Sequence, residues 1–221
     1  MTQAPVIGRF APSPTGDLHF GSLVSAVGSY LEAKCAGGVW LLRVEDIDPP
    51  REVAGSSERI INDLHRLGMT PDGAVLYQSS RYDAYQHAIN TLLASGLAYP
   101  CACSRKDLPE SGIYPGTCRN GIAPGKEPRS VRLHVTGDSC EFTDKIQGLV
   151  NDSPAGISGD FIIQRADGLY AYQLAVVVDD AFQGVTQVVR GADLLDSTSR
   201  QICLQKALGY KTPDYVHPVS Y

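Results

Sequence analysis

No apolar run in these 221 residues is long enough to cross a bilayer, and no apolar segment precedes a cleavage site near the N-terminus. The expectation is a soluble, cytoplasmic protein with no membrane partner. An excess of positive charge is also lacking: 19 Lys+Arg stand against 24 Asp+Glu, a formal net charge of -5. That excludes broad non-specific attraction to nucleic acid, while leaving room for a local basic groove. Six cysteines do not make a disulfide framework in a chain of this size. Three are clustered and the rest scattered, which fits reduced thiols and a candidate metal site. No internal repeat or low-complexity tract is present. What is there is 43% hydrophobic, with 22 Gly and 14 Pro. That is enough for one sizeable core, or a core plus a small inserted subdomain.

Hydrophobic periodicity alternates between short buried runs and amphipathic ones. Strands are expected at 6–10, 39–44 and 75–78, and helices at 18–36, 55–67 and 81–95. Phe20, Leu23, Val24, Val27, Tyr30 and Leu31 would form the inner face of the first helix, capped by Asp17. Ile60, Ile61, Leu64 and Leu67 would be the stripe of the second, and Ser80 with Asp83 would cap the third. The rhythm breaks between about 99 and 159, a Gly-, Pro- and Cys-rich segment with only short apolar stretches such as 131–135. It resumes with strand-like runs at 160–164, 170–178 and 185–190. A helix at 197–208, capped by Ser197 and stopped by Gly209, and a strand at 215–219 follow. This is the pattern of an α/β protein with a doubly wound parallel sheet, divided as 1–98, an insertion at 99–159, and 160–221.

Three constellations carry chemistry. The stretch 9–22 (RFAPSPTGDLHFGS) is a strand-to-helix crossover. His19 and Gly21 would lie in the first helical turn, where free N–H groups and the helix dipole favour phosphate; the plain alternative is a tight turn with a surface histidine. After the second strand, Glu45, Asp46 and Asp48 face the crevice where open α/β sheets bind ligands, able to hold an ammonium group or a ribose hydroxyl, unless they are a solvated acidic loop. Arg9, Tyr172 and Arg190 sit in or at the end of apolar runs. A buried arginine needs an anion, either a substrate carboxylate held bidentately or a structural partner among Asp179, Asp180 and Asp193. Separately, Cys101, Cys103 and Cys118 could bind one metal ion, with Tyr114, a water, His134 or Cys140 as the fourth ligand of a tetrahedral Zn²⁺ site. Otherwise they are three reduced thiols.

Together these motifs closely resemble the glutamate-specific class I aminoacyl-tRNA synthetases. The matching stretches are 9–16 (RFAPSPTG), 18–21 (LHFG) as the HIGH-type signature, 43–48 (RVEDID), 176–180 (VVVDD) and 189–193 (VRGAD). Within that group the chain is most similar to the short glutamyl-queuosine tRNA(Asp) synthetases, through 172–177 (YQLAVV), 190–198 (RGADLLDST) and the Cys101, Cys103, Tyr114, Cys118 pattern, which resembles their zinc site.

The resemblance implies a Rossmann-like catalytic core with a small zinc-binding insertion. It also implies a reaction in which L-glutamate and ATP, with Mg²⁺, give glutamyl-adenylate without tRNA. The glutamyl group then passes to queuosine in the anticodon of tRNA(Asp). Arg9, Phe10, Ala11, Pro12, Ser13, Glu45, Tyr172 and Arg190 would line the glutamate pocket, with Glu45 on the α-ammonium. His19 and Gly21 would serve catalysis and, with Gly191 and Asp193, ATP. A monomer is expected. The family also carries a lysine-bearing KMSKS-type loop after the strand matching 215–219, and the sequence ends at Tyr221 ahead of it; Lys206 and Lys211 lie too early to substitute. Slow or absent activation by this form is therefore a further expectation. The alternatives are the catalytic domain of an ordinary glutamyl-tRNA synthetase and a non-catalytic binder of glutamate or adenylate.

Overall fold

The structure, a computed structural model, describes residues 5–137 and 139–219. In chain order the elements are β1 (Ile7–Phe10), α1 (Phe20–Cys35), β2 (Val39–Val44), α2 (Ser56–Arg66), β3 (Leu76–Tyr77) and α3 (Tyr82–Ala94). There follow β4 (Ala98–Cys101), β5 (Ser130–Leu133), β6 (Cys140–Asp144), β7 (Gly148–Asp152) and α4 (Pro154–Ile157). The chain then runs through β8 (Ile162–Gln164), α5 (Tyr172–Phe182), β9 (Gln187–Val189), α6 (Leu195–Leu208) and β10 (Asp214–Val216).

Seven strands form the main sheet in the order β3-β2-β1-β9-β10-β6-β7. All neighbours in it pair in parallel except β6 with β7, an antiparallel hairpin on the edge. A second, antiparallel sheet has the order β4-β5-β8. The segment 99–159 is thus shared: β5 belongs to the small sheet, and β6 and β7 extend the large one. The run 160–164, which includes β8, joins the small sheet rather than resuming the large one.

Strand alternation assigns the two faces of the main sheet. Phe10, Trp40 and Leu42 turn toward α1 and α2, where they pack with Ala26, Ala33, Ile60, Leu64 and Met69. Arg9 and Arg43 turn the other way and meet Asp180 on α5. On that side α3, α5 and α6 enclose the larger core, with Tyr85, Ile89, Leu92, Leu174, Val177 and Leu204 fully buried.

Several local expectations are corrected. The apolar run 170–178 is not a strand but most of α5: Leu174 to Asp180 are all buried, so a helix apolar on every side looks the same in sequence as a buried strand. In α1 the buried residues are Ala26, Ser29 and Ala33, while Phe20 (69%), Val27 and Leu31 are exposed. The helix lies close to the sheet, with Gly28 against Val189 and Ala33 against Gly8, and only small residues fit there. Asp17 does not cap α1; it pairs with Arg59, and His19 is the cap. Leu67 of α2 is exposed. No side chain caps α3: its N-cap is Arg81, and the Ser80 hydroxyl donates to the Tyr77 carbonyl. The last helix starts at Leu195, so Ser197 lies inside its first turn, while Gly209 closes it in the left-handed conformation as expected. No described helix is long and apolar enough to cross a membrane.

Candidate active site

The crossover after β1, the loop after β2, and the ends of β9 and β10 all open on one edge of the sheet. Between β1 and β9 the strand order reverses, and that switch point is where a doubly wound sheet leaves a crevice. A cavity of about 370 Å³ lies there. All twelve residues expected to touch glutamate or ATP line it: Arg9, Phe10, Ala11, Pro12, Ser13, His19, Gly21, Glu45, Tyr172, Arg190, Gly191 and Asp193. A side chamber of about 180 Å³ shares Ser13, Thr15, Glu45 and Tyr172 with it and is otherwise walled by residues including Asp48, Arg51, Glu52 and Arg165.

The two loops are tied together before any ligand enters. The Glu45 amide donates to the Pro12 carbonyl, and the Val53 amide to that of Pro14, both at 2.9 Å. Gly16 takes φ +145, and the buried Ser56 hydroxyl donates to its carbonyl at 2.5 Å. His19 ends the crossover. Its Nδ1 accepts from the Ser22 amide at 3.3 Å, which leaves the exposed Nε2 free beside the open first turn of α1.

The charged groups differ in how far the protein itself satisfies them. Arg9 donates through Nε to Asp180 at 3.1 Å, and Arg43 donates to the same oxygen at 2.8 Å. Those two arginines hold the Asp180 carboxyl below the usual range although its burial acts the other way. Glu45 is 7% exposed, and its nearest cation is Arg43, 3.6 Å away. Burial pushes the Glu45 carboxyl up to about 7, against the pull of Arg43 and Arg9. Arg190 is 4% exposed. Its partners are all neutral: His217 Nε2 at 3.1 Å, Gln201 Oε1 at 2.7 Å, Thr198 Oγ1 at 2.9 Å and the Tyr172 hydroxyl at 3.5 Å. No described carboxylate forms an ion pair with it, so the structural pairing with Asp179, Asp180 or Asp193 holds for Arg9 and not for Arg190. A guanidinium buried among dipoles alone calls for an anionic ligand.

A second site lies in the segment after β4. The Sγ atoms of Cys101, Cys103 and Cys118 lie within 4.8 Å of one another. Cys103 and Cys118 are 3.7 Å apart, close to the edge of about 3.8 Å of a tetrahedron with 2.3 Å Zn–S bonds. The Tyr114 oxygen stands 3.3 Å from Cys101 and 3.7 Å from Cys103, at the fourth corner. Burial would raise the Cys101 thiol, but hydrogen bonds from Tyr114, the Cys103 amide and Arg132 outweigh it and bring it down to about 7. Arg132 also lies 3.8 Å over the Tyr114 ring. Gly159 makes room for this tyrosine: with φ +63, a Cβ there would sit 2.1 Å from the Tyr114 carbonyl oxygen. Three thiolates and a phenolic oxygen in this arrangement suit a structural Zn²⁺. His134 and Cys140, the alternative ligands, line a different cavity beside Cys203 and Lys206.

Arg43, Thr198, Gln201 and His217 support the site without having been expected there, and Asp180, one of three candidate partners in the sequence, proves to be the one that meets Arg9. The run 176–180 was visible as a motif, but only the fold shows that Asp180 reaches Arg9.

The family model for the catalytic domain of class I tRNA synthetases (E and Q) matches residues 5–112 and 116–221. A glutamyl-Q tRNA(Asp) synthetase from Geobacter sulfurreducens is 56% identical over 225 residues, spanning 97% of this chain and 72% of that protein. One from Dechloromonas aromatica is 53% identical, over 97% of this chain and 74% of that protein. A glutamate tRNA ligase from Elizabethkingia meningosepticum, solved in complex with its amino acid, superposes with a TM-score of 0.88 at 29% identity; 98% of this chain covers 49% of that one, so the chain spans about half its length. Sequence motifs, sheet order and a cavity at the switch point therefore agree, and the chain belongs to the class I tRNA synthetases (E and Q), whose catalytic domain it matches.

Proposed function

We propose that this chain activates L-glutamate with ATP and transfers the glutamyl group to queuosine in the anticodon of tRNA(Asp). The observation that carries the reading is Arg190, a buried cation with only neutral partners, facing the same cavity as Arg9 and Glu45. An amino acid with two carboxylates and one ammonium group complements two arginines and a glutamate. In this reading Arg190 and Tyr172 take one carboxylate, Arg9 stands ready for the other through its remaining N–H groups, and Glu45 accepts from the α-ammonium.

ATP enters as its Mg²⁺ complex beside His19, Gly21, Gly191 and Asp193, with its phosphates against the first turn of α1. An oxygen of the glutamate α-carboxylate attacks the α-phosphorus, the bond to the β-phosphate breaks, and pyrophosphate leaves. No protein group becomes covalently bound. Arg9 and Glu45 orient the nucleophile, and the helix N-terminus offsets charge building on the phosphates. In the second step a queuosine hydroxyl reaches the acyl carbon through the side chamber at Ser13 and Tyr172 and displaces AMP, its proton passing to the departing phosphate. Cys101, Cys103, Tyr114 and Cys118 would hold Zn²⁺, whose chemistry is structural: it closes a segment too small to form a core of its own. In this reading the part of 99–159 that would hold zinc is an insertion between the two halves of the catalytic domain.

Glutamate-dependent exchange between pyrophosphate and ATP, measured without tRNA, is the expected result, followed by label transfer from glutamate to queuosine-containing tRNA(Asp). Charging of the 3′ end of glutamate tRNA instead would assign the chain to an ordinary synthetase. Calorimetric binding of glutamate with no exchange would assign it to a binder.

A further inference from the structure

One of the neutral partners of Arg190 is itself held in place by a buried carboxylate. Behind Arg190, the ring of His217, just past β10, is fully buried. Its Nε2 faces the Arg190 Nε–H at 3.1 Å, and its Nδ1 faces Asp144 Oδ2 at 2.6 Å. An arginine N–H cannot accept, so Nε2 must present its lone pair and the ring proton must lie on Nδ1. The Thr198 hydroxyl, 3.3 Å from the same Nε2, accepts from Arg190 Nη2.

Asp144 enforces that arrangement. Its Oδ1 accepts three backbone amides: Ile146 and Gln147 at 2.9 Å and His217 at 3.2 Å. This leaves Oδ2, a pure acceptor, against the ring. Asp144 ends β6, whose parallel pairing with β10 brings it beside His217. The edge hairpin that interrupts the α/β rhythm thereby reaches the glutamate pocket.

We propose that Asp144 and His217 are positioning residues: Asp144 fixes the Nδ1–H tautomer of His217, and His217 Nε2 in turn orients the Arg190 guanidinium toward Tyr172 and the bound carboxylate. The inference rests on the assignment of Arg190 to glutamate made above. Burial and the nearby Arg190 hold the His217 ring below the ordinary imidazole value, with Asp144 pulling the other way. Burial would raise the Asp144 carboxyl, but its hydrogen bonds outweigh this and keep it low. A neutral ring beside an ionised carboxylate is the state the geometry requires.

Asp144→Asn is the informative change, because its outcome is dictated by the three amides. They pin the new carbonyl oxygen at the Oδ1 position, so the new NH₂ must face Nδ1. The ring is then driven to the Nε2–H tautomer, with a donor pointing at the Arg190 donor. Nitrogen-15 NMR of histidine-labelled protein should show the Nδ1–H tautomer for His217 in the native chain and its reversal in D144N. Calorimetry should show glutamate affinity falling on the order of tenfold in D144N, the scale of one hydrogen bond to a charged group, with ATP affinity unchanged. His217→Gln, whose amide oxygen can reach the Nε2 position, should keep more glutamate affinity than His217→Asn, which cannot reach Arg190. A native Nε2–H tautomer would overturn the proposal. So would unchanged glutamate affinity in D144N despite a reversed tautomer, or equal affinities of the two His217 variants. If Arg190→Ala itself binds glutamate normally, the pocket assignment fails instead, and that control separates the two failures.

Discussion

Glu45 and Arg190 illustrate two ways in which a buried charge records its missing partner. Glu45 has no hydrogen-bonded cation, and burial raises its carboxyl to about 7. An α-ammonium group binds the ionised form. In the free protein that form passes from the minority to the majority as pH rises through about 7, so glutamate affinity should rise over that range and then level off. Calorimetry across pH 6 to 8 checks this, and Glu45→Gln should bind more weakly with that dependence gone. The same shift acts on folding with the opposite sign. A carboxyl raised by burial binds its proton more tightly when folded, so its effect on stability worsens as pH climbs from the ordinary carboxylate value to about 7. For Arg190→Ala, loss of a charged, bidentate anchor should weaken glutamate binding by about 100-fold or more. Both residues were legible as candidates because each charge ends an apolar run. Asp144 and His217 were not: 73 residues separate them, and each looks in sequence like an ordinary surface residue.

At the scale of elements, α5 does most to define the site, and it is the element whose type was misread. Its apolar run resembles a strand until the fold shows that it is enclosed on every side. Periodicity has no power where there is no polar face. The helix carries Asp180 under β1 and β2, where it pairs with Arg9 and Arg43 at once. Removing that carboxylate would strand two buried guanidinium groups, one of them already with unpartnered nitrogens. Asp180→Ala should therefore destabilise the fold by about 3–5 kcal/mol, read by chemical denaturation. The cysteine-bearing segment is a separate case. Its residues were legible from spacing, and the three thiols and Tyr114 do converge. Cys118→Ser should abolish an expected one zinc per chain in metal analysis and lower the melting temperature by about 5–10 °C. Glutamate-dependent exchange should persist, because no residue of that segment lines the main cavity.

Over the whole molecule, charge is distributed unevenly in a way that bears on the second substrate. The net charge is -5, from 19 basic and 24 acidic residues. Residues 99–135 hold six of the basic ones (Arg105, Lys106, Arg119, Lys126, Arg129 and Arg132) against three acidic ones, Asp107, Glu110 and Glu127. Arg119 and Lys126 are engaged with Asp160 and Asp107, and Arg132 is buried. Arg105, Lys106 and Arg129 are exposed and form no ion pair among the described residues. An acidic protein that meets an RNA through one basic segment binds few phosphates, so few counterions are released. The two half-reactions should therefore separate in salt. Exchange of pyrophosphate with ATP involves no RNA phosphates and should change less between 50 and 200 mM salt, whereas transfer to tRNA should weaken roughly tenfold or more over that range, for two to three phosphate contacts. Replacing Arg105, Lys106 and Arg129 together by Gln should reduce the slope of that salt dependence and leave exchange intact. An unchanged slope in the triple variant would place the RNA-binding charge elsewhere on the chain.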